Sequence, residues 1–399
     1  MIWNRRSRTA GGFFGKLPHR DFVLLPAIFL LTLLCIGFTS EALARLWYPE
    51  QQLDRCQINE PTGGRFKPGC HSVTKMFEST WVESDYNDCG YRSAHSCRTK
   101  APDALRVAVL GTSISRGYWL PYNQSFAGRV EHDLTVACQQ PVDLQNVSQA
   151  NSILVTGNGR IPIWHHIADR VPEALALRPN ALVLVMAPFD LESYEVMPES
   201  TGASAATAPV TPGPRGLVGL FKTIKNFINN DSRVILVARH IAYQDTDRYV
   251  LHDLQQGDSS DYLRQPFTAK WALRLKVADQ TISRIASQAN AAGVPLIVVL
   301  MPLRTQAALS AAGVDRHQTH PFALGRALSG IVRAQHADFI DMTNVTSTLR
   351  DPADLFFEIN GHPNAAGDAA LARSVETALV RDVQGFSHCR PVGPRMSGR

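Results

Sequence analysis

The chain has 399 residues, 45% of them hydrophobic, which is ample for a large buried core and too apolar for a disordered chain. Its net charge of +5 belongs to one end: residues 1–48 hold six Lys/Arg against two Asp/Glu, whereas the remaining 34 and 33 nearly balance. With no Lys/Arg block beyond the N-terminus, no zinc-finger spacing and no arginine-rich arm, the composition argues against nucleic acid as a partner.

In chain order, Arg5, Arg6, Arg8, Lys16 and Arg20 precede Phe22–Phe38, a run of 17 residues without charge. As a helix it covers roughly 25 Å of a ~30 Å hydrocarbon layer, and Trp47 and Tyr48 stand where an interfacial aromatic belt belongs. Residues 1–20 read as a basic cytoplasmic tail and 21–48 as a single-pass anchor in the inner (cytoplasmic) membrane. The positive-inside rule then puts the rest on the periplasmic or extracellular side. A cleaved signal peptide ending near Ala42-Leu43-Ala44 is the alternative, for which the apolar run is long.

Outside the anchor lie six cysteines, an even number that suits three disulfides in an exported domain. Six cysteines permit about 15 connectivities; proximity in sequence favours Cys56 with Cys70 and Cys89 with Cys97, leaving Cys138 for Cys389. No C-x-x-C pair is present, so a metal centre is not expected, and no cofactor-binding fingerprint stands out.

Residues 49–100 are rich in Gly, Pro and cysteine and read as a loop-rich, stapled collar. From Leu105 apolar runs alternate with amphipathic stretches. Strands are expected at 105–110, 142–147, 180–186, 294–301 and 337–341, and helices at about 124–138, 161–177, 267–291, 322–335 and 364–382. Apolar strands separated by helices define an α/β domain (101–385) whose five-stranded parallel sheet is doubly wound, followed by a tail at 386–399. An insertion at 195–265 interrupts it. Residues 195–216 are small and Pro/Thr-rich, whereas Leu217, Leu220, Phe221, Ile224, Phe227 and Ile228 keep helical spacing, as an ordinary cap or as a lid near acyl chains. The segment SRVILVARHIAYQ is a further helix candidate.

Such sheets place ligands at the carboxyl ends of their strands, and Ser113 lies just past the first, between Gly111 and Gly117. A serine attacks only with a base to take its proton and donors to meet the oxyanion. The candidate base is His362 in DLFFEINGHPNAAG; in an extended segment Glu358, Asn360 and His362 share one side, so either neighbour can orient the imidazole. Ser115 reads as a cap, the adjacent His165 and His166 as surface or packing residues, and Tyr118, Trp119 and Tyr122 as core or as a sugar-stacking platform.

These blocks resemble the SGNH/GDSL hydrolases: VAVLGTSISRG their first block, LQNVSQAN the second, LVLVMAPFDLES the third and EINGHPNAAG the last. GVPLIVVLMPLRTQAAL is similar to exported, membrane-anchored bacterial members, and the resemblance covers about residues 85–385. It implies a flavodoxin-like sheet, Ser113 as nucleophile, His362 as general base, and backbone N–H groups near Ser113 and at Ser148 for the oxyanion. Asp190 is placed as a structural acceptor or a cleft residue, and Arg116 as a contact for an anionic substrate or a solvated charge. Three positions depart from the family: Thr112 replaces an aspartate, Phe189 stands where an asparagine donates to the oxyanion, and Asn360 where an aspartate orients the histidine. Glu358 or Asp354 then supplies the acid, or a serine–histidine dyad works slowly, or the chain is not a hydrolase.

The resemblance implies an acyl-ester substrate, with O-acetyl groups on polysaccharide as the class that location favours. The alternatives are an O-acyltransferase to extracellular polysaccharide, supplied by a partner membrane acyltransferase, and a non-catalytic glycan-binding or assembly protein.

Overall fold

A computed structural model describes residues 19–48, 54–60, 63–117, 119–149, 153–156, 159–162, 167–192, 232–311 and 318–390. The chain divides into two units, residues 1–50 with 213–238, and residues 51–212 with 239–399. In the first, a 29-residue helix, His19–Trp47, contains a stretch, Val23–Trp47, long and apolar enough to cross a membrane. Its apolar side chains from Val23 to Phe38 are exposed. Near its end Glu41 accepts from the Ser232 hydroxyl at 2.9 Å and from the amides of Arg233 (3.0 Å) and Val234 (3.2 Å). Those amides head the helix Arg233–Tyr243 and have no intrahelical acceptor, so the carboxylate caps it.

The second unit begins with two antiparallel hairpins, β1 (Gln57–Glu60) with β2 (Gly63–Phe66), and β3 (His71–Lys75) with β4 (Trp81–Asp85). The Cys56–Cys70 and Cys89–Cys97 disulfides staple this collar, and Cys138–Cys389 ties a helix end to the C-terminal segment.

The five apolar runs form one parallel sheet: β5 (Leu105–Leu110), β6 (Val142–Asn146), β9 (Ala181–Met186), β10 (Leu296–Leu300) and β11 (Asp338–Asp341). The order β6-β5-β9-β10-β11 reverses direction at β5, the flavodoxin-like arrangement. Register pairs Val107 with Leu144 and with Ala181, and Val183 with Ile297. Period-two alternation splits the strand side chains between two cores. Ala108, Leu110, Leu182, Leu184 and Val298 pack beneath the helices Val171–Ala176, Ala269–Ala291 and Ala323–Ala334. Val107, Val109, Val183, Val185 and Val299 face Phe126–Cys138 and Ala365–Asp382. Both faces are covered, which is why β9 and β10 are apolar throughout.

The sequence expectation of a helix over 161–177 is corrected. Gly159–Pro162 (β8) pairs with Ile153–Thr156 (β7), residues 167–169 are helical, and after a break at Arg170 the helix Val171–Ala176 follows, in which Pro172 is tolerated because a first-turn residue needs no amide donor. The packed core also runs past residue 385, with Phe386 fully buried and Cys389 bridged. Tyr118, His165, His166 and the part of the insertion at 195–231 lie outside the described residues.

Candidate active site

Two of the parallel strands, β5 and β9, lead directly into residues of the site. After β5 the chain must turn at once into the short helix Ser113–Arg116. Gly111 has φ +154°, and a Cβ there would stand 2.3 Å from Ser115 Oγ and 2.6 Å from the Val185 carbonyl oxygen, so glycine is required. Thr112 donates its hydroxyl to Asp190 Oδ1 at 2.9 Å, and Asp190 Oδ2 accepts the Ala187 amide at 2.7 Å. The turn after β5 is thereby bolted to the turn after β9. Asp190 is 1% exposed, and burial raises its pKa to about 7 despite those donors. These two accepted bonds are those of a structural acceptor.

Ser113 is half-buried and heads its helix, so its own amide has no intrahelical acceptor. Its Oγ lies 2.8 Å from His362 Nε2, across 249 positions of sequence. His362 Nδ1 faces Asn360 Oδ1 in a close hydrogen bond. An amide oxygen can only accept, so Nδ1 carries the hydrogen and Nε2 is free to accept from the serine hydroxyl. Burial, with the positive charge of Arg116 adding to it, pushes the imidazole pKa down to about 4. The ring is therefore a neutral base at physiological pH. It lies flat on Trp119, with centroids 5.3 Å apart and planes at 12°, while the Phe189 ring stands 6.1 Å away.

The remaining sequence candidates sit elsewhere. Residues 358–360 are not extended. They form a turn in which the Gly361 amide donates to Phe357 O (3.1 Å) and the Phe357 amide to His362 O (2.9 Å), with Gly361 at φ +72°. The turn carries Glu358 away from the imidazole, to 3.9 Å from His240 Nδ1. Asp354 lies exposed in the preceding 3₁₀ turn, Pro352–Leu355. Neither supplies the group at Nδ1, which is Asn360. The Ser148 amide is occupied as well: it donates to Asn146 Oδ1 at 3.2 Å, while the Ser148 hydroxyl is paired with Ser115 Oγ at 2.7 Å. Arg116 is not solvated; it is 3% exposed with its guanidinium 4.6 Å above the Phe66 ring of the collar.

Among the described residues, Glu78, His240 and Glu358 bring one ring nitrogen and two carboxylates within 4.8 Å of one another. Both Glu78 oxygens already accept backbone amides, at 2.7 and 2.9 Å.

The fold and the site define an α/β protein with a serine–histidine pair at the carboxyl ends of its strands. No protein-family model matches the chain, and no curated protein matches it either. Solved structures similar to it include TesA, at 12% identity over 69% of this chain and 98% of that one, with a TM-score of 0.38. The lipase/acylhydrolase from Enterococcus faecalis (11%, 72% and 98%, TM-score 0.36) is another, as is the psychrotrophic esterase EstA from Pseudoalteromonas sp. (10%, 69% and 97%, TM-score 0.34). At these scores the likeness decides neither chemistry nor substrate.

Proposed function

We propose that the chain is a membrane-anchored serine esterase of the SGNH type, with Ser113 as nucleophile and His362 as general base, acting on acyl esters such as O-acetyl groups. The observation that carries this reading is the 2.8 Å approach of Ser113 Oγ to a neutral His362 Nε2 whose other nitrogen is tied as a donor. Ser113 Oγ attacks the ester carbonyl as its proton passes to Nε2. The tetrahedral intermediate collapses, the alcohol leaves with that proton, and water attacks the acyl-serine by the same relay. With an alcohol in place of water the same intermediate transfers the acyl group.

The site is built for slow turnover. Among the described residues no carboxylate offsets the imidazolium that forms during attack, and Arg116 opposes it. Phe189 has no side-chain amide to offer, leaving the Ser113 amide at the head of its helix as the oxyanion donor. Export is supported by three disulfides and by the apolar N-terminal helix.

A fluorophosphonate probe on the full chain in detergent tests the reading. Labelling that disappears in Ser113→Ala is expected; absence of labelling where a known esterase is labelled would overturn it in favour of the non-catalytic reading.

A further inference from the structure

The loop between β3 and β4, residues 76–80, belongs to the stapled collar and is some 280 positions upstream of the histidine turn. Ser79 closes it: its amide donates to Met76 O (3.3 Å), and its Oγ accepts the Met76 amide (3.2 Å). Phe77, 7% exposed, packs edge-on against the His240 ring, with centroids 6.3 Å apart. Between these two residues Glu78 projects a side chain that is 2% exposed.

That carboxylate receives two successive amides of the turn that carries the imidazole's partner. Oε1 accepts the Ile359 N–H at 2.7 Å, and Oε2 accepts the Asn360 N–H at 2.9 Å. On the turn's other side Arg304 Nη1 donates to the Glu358 carbonyl at 2.6 Å, and Arg304 Nη2 to the Tyr243 carbonyl at 2.8 Å. The turn is thus gripped through its carbonyl by a cation and through its amides by an anion. Charge-assisted bonds of this kind are roughly twice as strong as neutral ones. Asn360 is the residue so held, and its Oδ1 meets His362 Nδ1.

We propose that Glu78 is a positioning residue: by clamping the Ile359 and Asn360 amides it holds Asn360 Oδ1 on His362 Nδ1, and so fixes the tautomer and aim of the imidazole towards Ser113. The proposal rests on the serine–histidine reading above. It makes the collar hairpin part of the active site. A second-sphere clamp of this type matters more where the orienting group is an amide, because no net charge then pulls the ring and its partner together.

The test uses Glu78→Gln in the full chain in detergent. Glutamine keeps one acceptor oxygen and turns an NH₂ group towards the other amide, so one bond is lost. Selective ¹⁵N-histidine labelling reads the His362 ring directly, and p-nitrophenyl acetate turnover reads catalysis. The expected result is a shifted His362 ring resonance and a kcat at least tenfold lower with KM unchanged. Adding Asn360→Ala in that background should cost little more, because both changes break one chain of contacts. Unaltered His362 resonances and unaltered turnover in a folded Glu78→Gln protein would overturn the proposal while leaving the esterase reading intact. A wild type inert to fluorophosphonate whose His362 resonance still moves in Glu78→Gln would overturn the esterase reading alone. Should the glutamine variant misfold, Glu78→Asp keeps the charge one methylene short. It should weaken the clamp, and an unmoved His362 resonance in it would refute the proposal in the same way.

Discussion

Asn360→Asp probes the point at which charge enters the mechanism. During attack His362 passes from neutral to cationic, in a place where burial and Arg116 already hold its pKa down to about 4. A carboxylate of the same shape would put a full negative charge about 4 Å from the ring centre, worth about 4 kcal/mol at an effective dielectric of 20. Asn360 is exposed, so water screens part of this. Roughly 2–3 kcal/mol remains, which is a factor of about 30–160 in turnover. The ~10⁴ lost when a buried serine-protease triad exchanges its aspartate for asparagine sets the ceiling. The assay is kcat for p-nitrophenyl acetate hydrolysis from pH 3.5 to 9. In the wild type the base is neutral above its pKa, so the acid limb should fall near pH 4. The new carboxylate favours the charged imidazole, so in the variant the limb should rise towards or beyond the ordinary histidine value of about 6.5. A limb that does not move would show that residue 360 does not face Nδ1. A limb that moves with turnover unchanged within twofold would refute the claim that the uncompensated imidazolium limits the rate.

Phe189→Asn should restore an oxyanion donor and raise kcat, within the 10²–10³ that such donors are typically worth, less whatever the lost ring contact with His362 costs; a fall in kcat would show that the packing matters more. Thr112→Val removes the hydroxyl donor to buried Asp190 and should cost about 1–3 kcal/mol in denaturant melts, with activity lost in proportion as the Ser113 turn loosens. Removing Cys138–Cys389, which closes a loop of 251 residues, should lower stability by about 3–5 kcal/mol. Thermal melts of a Cys138→Ser, Cys389→Ser double variant would show it. Below pH 6.5 the folded protein should lose stability progressively down to about pH 4, because His362 is neutral when folded and protonated when unfolded, and His362→Gln should flatten that slope.

The sheet is legible in the sequence because burial on both faces leaves the strands Ala181–Met186 and Leu296–Leu300 without a polar residue to disguise them. The disulfide pairs follow from proximity because the collar is made of short local hairpins. Glu358 is misplaced by the assumption of an extended segment: a left-handed Gly361 closes a turn instead, and two-residue alternation no longer decides which side a residue takes. The Ser148 amide meets a side chain only two residues back, at Asn146, a pairing that the block resemblance does not reveal. Arg116 and Trp119 stand out in the sequence, but what they touch, Phe66 in one case and His362 in the other, is remote in sequence and not legible there. Glu78 gives no signal at all. It is one acidic residue in a polar loop until the fold brings the Asn360 turn against it.

On the proposed reading, the distance in sequence between Ser113 and His362 has a consequence for how such a protein is made. Ser113 is synthesised early and follows the first strand of the sheet, while His362 follows the last, only 27 residues before the cysteine that completes the final bridge. On that reading a half-threaded chain carries the hydroxyl without the imidazole that would deprotonate it. Competence on that reading waits for the segment that follows the fifth strand, and a product truncated before His362 would lack its base.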